Sequence, residues 1–149
     1  MAALLVAAAV AAVAVAVAMV LRSRQRTDRP TQVSWVAPSQ LDRADFPGAE
    51  GRPWLVAVFS SATCHTCADV VAKAEVLASP EVGVVEVEYG RDRAVHAKYA
   101  IDAVPIICVA DETGTVRSSF VGPVSATDLW AALAELRDPG STPSGGCDH

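Results

Sequence analysis

Between Val56 and Cys67 the chain reads VAVFSSATCHTC, an apolar, β-forming run that delivers two cysteines in C-x-x-C spacing. No other stretch limits the fold as tightly. Trp54 to Phe59 is nearly continuous in apolar residues, the pattern of a strand buried on both faces, so it is expected at the centre of a sheet. Ser60, Ser61 and Thr63 then give a polar turn. Val70, Val71, Ala74 and Leu77 recur at helical spacing and predict a helix from about Cys64 to Ala78, stopped by Ser79 and Pro80. Residues three apart share a helix face, so Cys64 at the helix mouth and Cys67 one turn in can close a small disulfide. Unpaired N–H groups and the positive dipole end at a helix N-terminus stabilise a thiolate, which makes Cys64 the candidate nucleophile.

The flanking sequence supplies the remaining elements. Gln32 to Val36 reads as a short first strand with Trp35 in the core, Pro38 to Leu41 as the start of a short helix, and Phe46, Pro47, Gly48, Gly51 and Pro53 as a loop. After the C-x-x-C helix, Val85, Val87 and Tyr89 alternate with Glu86 and Glu88, so Val82 to Tyr89 is expected as a strand with one face exposed. Asp92 to Ala100 is a short helical stretch whose His96 reads as solvated. Ile101 to Pro105 connects it to a fully apolar strand, Ile106 to Ala110, and the turn Asp111 to Gly114 leads to a returning strand, Thr115 to Val121. Ser125 with Asp128 opens a last helix with an apolar stripe of Leu129, Trp130, Leu133 and Leu136. Glu86, Glu88, Asp92 and Asp111 read most simply as soluble surface.

Outside this block the chain changes character. Residues 2–21 form an uncharged run of twenty, almost all Ala and Val, and as a helix of roughly 30 Å it would match a bilayer core. A cleaved secretory signal is the competing reading, but no basic region precedes the run and it exceeds a usual signal core. Arg22, Arg24, Arg26 and Arg29 follow at once, so 22–32 is a basic juxtamembrane linker, and the positive-inside rule puts the following domain, 33–138, in the cytoplasm. The alternative topology is extracytoplasmic. From Pro30 onward 8 Lys/Arg stand against 16 Asp/Glu, which argues against nucleic acid as a partner. Residues 139–149 read as a disordered Pro/Gly/Ser tail.

Strand, C-x-x-C helix, strand, helix, X-Pro strand, hairpin strand and final helix is an order similar to the thioredoxin superfamily. Separated stretches carry the resemblance: Phe59 to Cys67 resembles the redox loop, Lys98 to Pro105 the segment leading to a cis-proline, and Phe120 to Gly122 a late glycine turn. It covers about Pro53 to Asp138. With the apolar leader, the layout resembles the membrane-anchored thioredoxin-like proteins of actinobacteria. The resemblance implies an α/β fold, a central mixed sheet flanked by helices, preceded here by one N-terminal transmembrane helix. It implies a protein-disulfide oxidoreductase with Cys64 attacking and Cys67 resolving, and no cofactor beyond the redox-active disulfide. A cis Val104–Pro105 bond would let the Val104 backbone pair with an extended substrate, beside a small groove of Ala62, Thr63, Val104 and Gly122. Partners would be protein or small-molecule thiols and disulfides, an upstream electron donor or acceptor, and the membrane through 2–21.

Departures from the family bear on mechanism. Thr63 replaces the usual Trp, and His65-Thr66 replaces Gly-Pro between the cysteines; a protonated His65 would stabilise the Cys64 thiolate and make the disulfide a better oxidant. Val58 stands where the family buries an Asp, and Glu86 about where a Lys partners it. Two further function classes stay open: a non-catalytic binding module on the same fold, and metal binding through Cys64, Cys67 and the tail residues Cys147 and His149. Cys108, inside an apolar strand, reads as a buried core thiol. Cys147 reads as a third thiol, an interchain pair or a residue without a role.

Overall fold

The computed structural model describes residues 36–141. Its centre is β1 (Trp54–Ser60), parallel to β2 (Val82–Glu88) on one side and antiparallel to β3 (Ile106–Ala110) on the other, with β4 (Val116–Val121) beyond β3. The mixed order β2-β1-β3-β4 leaves β1 and β3 enclosed, and every residue from Leu55 to Ser60 and from Ile106 to Ala110 is buried. Alternate side chains feed separate cores. Leu55, Ala57 and Phe59 pack with Leu41, Phe46, Val87, Ile106 and Cys108, while Val56 and Val58 pack with Val70, Ala74, Ile107, Val109, Leu129 and Leu133. Each fully buried Val, Leu, Ile or Phe among them contributes about 1.5–3 kcal/mol of transfer free energy.

Two helices cover the second face: α1 (Cys67–Glu75) through Val70 and Ala74, and α3 (Ala126–Arg137) through Leu129 and Leu133. Ser125 caps α3, its hydroxyl accepting the Asp128 N–H at 3.1 Å and donating to the Asp128 carboxylate at 2.7 Å. The first face is closed by α2 (Arg93–Lys98) and the chain before β1.

Several expectations are corrected. Pro38 to Leu41 does not begin a helix: Gln40 bridges Thr115, Leu41 N–H donates to Gly114 O at 2.8 Å, and buried Leu41 pulls the segment in as an extended strap. The helical turn comes later, as a 3-10 turn at Arg43–Asp45 capped by Asp42. The first-strand assignment at Gln32 to Val36 falls outside the described residues except for Val36, which is in no strand. Trp130 leaves the apolar stripe; it is exposed and its indole N–H donates to Lys73 O at 3.0 Å, tying α3 to α1. His96 is buried rather than solvated. Its ring donates from Nε2 to Val87 O at 2.9 Å and stands edge-on between Phe59 and Tyr89, because this position of α2 faces β2.

Residues 2–21, the linker 22–32, Cys147 and His149 lie outside the described residues, and among those described no helix is long and apolar enough to cross a membrane. Of the tail, 139–141 form a turn in which Gly140 N–H donates to Glu135 Oε1 at 2.7 Å.

Two stability outcomes follow. His96→Ala empties a packed site and removes the ring's hydrogen bond to the Val87 carbonyl, so urea unfolding should show a loss of about 2–4 kcal/mol. In the β3–β4 turn the Asp111 carboxylate is held down at about 2, first by the Thr113 hydroxyl, then by Arg117 and the backbone N–H groups of Thr113 and Thr115. A carboxylate depressed in the folded state binds fewer protons than in the unfolded one, so its stabilisation is complete above the ordinary value of 3.8 and is lost as pH falls toward 2. Thermal unfolding of Asp111→Ala between those values should fall less steeply with acid than the parent; equal slopes would remove this carboxylate from the acid limb.

Candidate active site

At the C-terminal end of β1 the chain leaves the sheet as a pair of tight turns. Cys64 N–H donates to Ser61 O at 3.0 Å and Cys67 N–H approaches Cys64 O at 3.4 Å, with the first helical bond running from Val70 N–H to Thr66 O at 3.2 Å. The helix expected from Cys64 therefore begins at Cys67, and Cys64 sits in the turn before it. The polar turn residues shape this path: Ser61 Oγ accepts Thr63 N–H at 3.4 Å and lies 3.1 Å from Thr63 Oγ1.

Cys64 and Cys67 are joined as a disulfide with their Cα atoms 5.4 Å apart. The two sulfurs differ in setting. Cys67 is 3% exposed, in the buried row of α1 with Val70 and Ala74, whereas Cys64 is only half-buried. Thr66 is the N-cap residue but makes no cap bond; its Oγ1 lies 3.7 Å from Cys64 Sγ instead. The second middle residue of the motif thus turns its hydroxyl toward the outer sulfur. His65 and Thr63 are exposed beside it.

The Val104–Pro105 bond is cis. Cys64 Sγ lies 3.9 Å from Val104 O, so the backbone ahead of the proline borders the disulfide. Gly122 N–H donates to Pro105 O at 2.8 Å, and at φ +89° Gly122 takes a conformation that side chains disfavour. Open space lies where its Cβ would be. Ala62, Thr63, Cys64, Val104 and Gly122 therefore come from three loops to the same end of the sheet.

Residues read as plain surface take part here. Glu88, at the end of β2, accepts Ala62 N–H at 3.1 Å on one oxygen and Arg91 N–H at 3.0 Å on the other. These contacts tie the cysteine loop to the β2–α2 turn. Bonds from Gly90 N–H, then from Ala62 and Arg91, hold the Glu88 carboxyl below its ordinary value. Glu86 accepts the hydroxyl of buried Ser60 at 2.5 Å. The sequence reading placed Ser60 in the polar turn, but it is the buried last residue of β1, a hydroxyl at the end of an otherwise apolar strand.

Cys108 is fully buried in β3, and burial pushes its thiol up to about 12. Among the described residues no group of three or more His, Cys, Asp and Glu comes together to hold a metal ion.

If Glu88 clamps the loop, Glu88→Ala should speed amide hydrogen exchange at Ala62 while β1 amides keep their protection. In the parent the same amide should lose protection as pH falls below the ordinary glutamate value of 4.5, since the carboxyl is depressed when folded. Unchanged exchange in the variant would remove the clamp.

No family model matches the sequence, and no curated protein matches it. Solved structures do. A mutant thioredoxin from Halobacterium salinarum is 18% identical over 68% of this chain and 93% of its own, with a TM-score of 0.53. A malarial protein is 16% identical over 56% of this chain and 97% of its own, with a TM-score of 0.51. Fasciola hepatica thioredoxin is 28% identical over 57% and 81%, with a TM-score of 0.49. At such identities the first two establish the fold alone: a mixed sheet with flanking helices of thioredoxin-like form.

Proposed function

We propose that this chain is a membrane-tethered thiol–disulfide oxidoreductase that works through Cys64 and Cys67. The observation that carries the reading is the asymmetry of the pair: a half-buried Cys64 sulfur beside the Val104 carbonyl and the cis-proline, joined to a Cys67 sulfur that solvent barely reaches. A substrate disulfide can meet only the outer sulfur. The Cys64 thiolate, supported by the Thr66 hydroxyl and the N-terminus of α1, attacks it and forms a mixed disulfide. Cys67 then attacks Cys64, closes the internal disulfide and releases the substrate as a thiol; the reverse sequence oxidises substrates.

An extended substrate segment would pair with the Val104 backbone, and the open space at Gly122 would admit its neighbouring side chains. Protein or small-molecule disulfides are the substrates of this reading, and an upstream thiol couple supplies or withdraws the electrons. Residues 2–21 would anchor the chain in a membrane, and the arginines after them favour a cytoplasmic domain, where the pair would rest reduced. About 30 mV of potential corresponds to 1.4 kcal/mol for this two-electron couple, so the measured potential decides the direction.

Equilibration in thiol/disulfide buffers of defined potential should show one reversible two-electron transition that Cys64→Ser or Cys67→Ser abolishes. Cys67→Ser should in addition accumulate a mixed disulfide on Cys64. A pair that never re-forms reversibly would leave a non-catalytic module on this fold. Impermeant thiol reagents applied to intact cells should spare Cys64; strong labelling without lysis would reverse the topology.

A further inference from the structure

Within the oxidoreductase reading, on which this inference rests, Cys67 must lose a proton each time it attacks, because the thiolate is the nucleophile. At 3% exposure it has little bulk water to receive that proton. Cys67, Val70 and Ala74 form the buried row of α1, and Val70 and Ala74 pack on Val56 and Val58 of β1. Side chains two apart on a strand share a face. Ser60 therefore continues the Val56–Val58 row, at the end of β1 where the chain turns back into the first residue of α1. Among the described residues the other buried polar side chain, His96, belongs to the opposite face with Phe59.

Ser60 is 1% exposed, and its hydroxyl proton is committed to Glu86 Oε1 at 2.5 Å. What the hydroxyl still offers to its surroundings is an acceptor lone pair. Glu86 stands opposite Val58 in the β1–β2 register and is itself exposed at the edge of the sheet. It touches the buried hydroxyl with one oxygen and remains open to water. A buried acceptor joined by a short hydrogen bond to a solvent-exposed carboxylate is a path between the interior and bulk solvent.

We propose that Ser60 and Glu86 form the proton path of Cys67. As Cys67 attacks the mixed disulfide, its S–H proton passes through one bridging water to Ser60 Oγ, while the Ser60 proton passes to the Glu86 carboxylate. The Cys67–Cys64 bond forms, the Cys64–substrate bond breaks, and the electron pair leaves on the substrate sulfur. In the reverse direction protonated Glu86 returns the proton to Cys67 as its sulfur departs. The charged groups that touch this path or its neighbours are Arg91, which donates to Glu86 O and carries Asp92 with it, and Glu88, which holds the Ala62 N–H; His65, Asp69 and Lys73 lie on the loop and helix that carry Cys67. Arg91 is engaged by Glu86 O at 2.7 Å and by Asp92 at 2.8 Å, and Lys73 by Asp69 at 2.6 Å.

The test uses the full-length chain carrying Cys147→Ser, reduced and mixed with dithiobis-nitrobenzoate, whose thiolate is coloured. The first release of colour reports attack by Cys64, and the second reports displacement by Cys67. Glu86→Gln and Ser60→Ala should leave the first release unchanged and slow the second about 100-fold near neutral pH. That deficit should shrink as pH rises, because hydroxide replaces the missing acceptor. Glu86→Gln conserves shape on an exposed strand edge and carries the test if Ser60→Ala does not fold. An unaltered second release in Glu86→Gln overturns the proposal, and so does a deficit that stays constant with pH, which would report displaced geometry. A parent chain lacking either release overturns the oxidoreductase reading itself.

Discussion

Burial of β1 on both faces is the constraint on which the rest of this structure depends. A strand whose alternate side chains enter separate cores cannot slip by one residue without exchanging Phe59 for Val58 at both surfaces. Its register with β2 and β3 is fixed accordingly, and so is the point at which the chain leaves the sheet. Everything chemical lies just past that point. The cysteine loop, the cis-proline ahead of β3 and the glycine after β4 meet because β1, β3 and β4 are neighbours whose ends coincide.

The second consequence concerns the edges. Enclosing β1 and β3 makes β2 an outer strand, and its polar residues are thereby free to reach sideways to the end of β1 and the cysteine loop. Glu86 and Glu88 share one face of β2, two residues apart, and each bonds a different group where β1 ends: a buried hydroxyl and a backbone N–H. The alternation that keeps valines inward on this strand also puts the two carboxylates in line with the loop. An edge strand that also holds the cysteine loop couples its local opening to the geometry around Cys64.

Much of this could be read from the sequence because the decisive signals were local. The apolar run at Trp54 to Phe59, the proline after Val104 and the Ser125 cap each act within a few residues, and the strands and the last helix fall close to where their patterns place them. What could not be read depended on distant partners. His96 looks solvated on its own short helix, and only the docking of α2 on β2 supplies the Val87 carbonyl and two aromatic rings that let it be buried. Trp130 is apolar by type, yet a Lys73 carbonyl on another helix decides where its indole points. The strap at Pro38 to Leu41 has no local strand signal; its pairing exists because Gly114, at φ +80°, brings a backbone carbonyl to Leu41. Ser60 and Glu86 are 26 positions apart and unremarkable singly, and neither predicts the other without the β1–β2 register.

The helix start carries the same lesson into chemistry. A helix beginning at Cys64 would place both sulfurs on one helical face with similar access. By delaying it to Cys67, the turns at Ser61 to Thr66 separate the two environments: Cys67 becomes the first residue of a packed row, and Cys64 is left at the rim beside Val104. The N-cap residue contributes as well, since Thr66 gives up the usual cap bond and turns its hydroxyl toward the outer sulfur. A half-buried sulfur with a hydroxyl and a helix N-terminus near it and a sulfur that solvent barely reaches are unequal partners in one disulfide. On the proposed reading this asymmetry assigns attack to Cys64 and resolution to Cys67, with a neighbouring group taking the inner sulfur's proton.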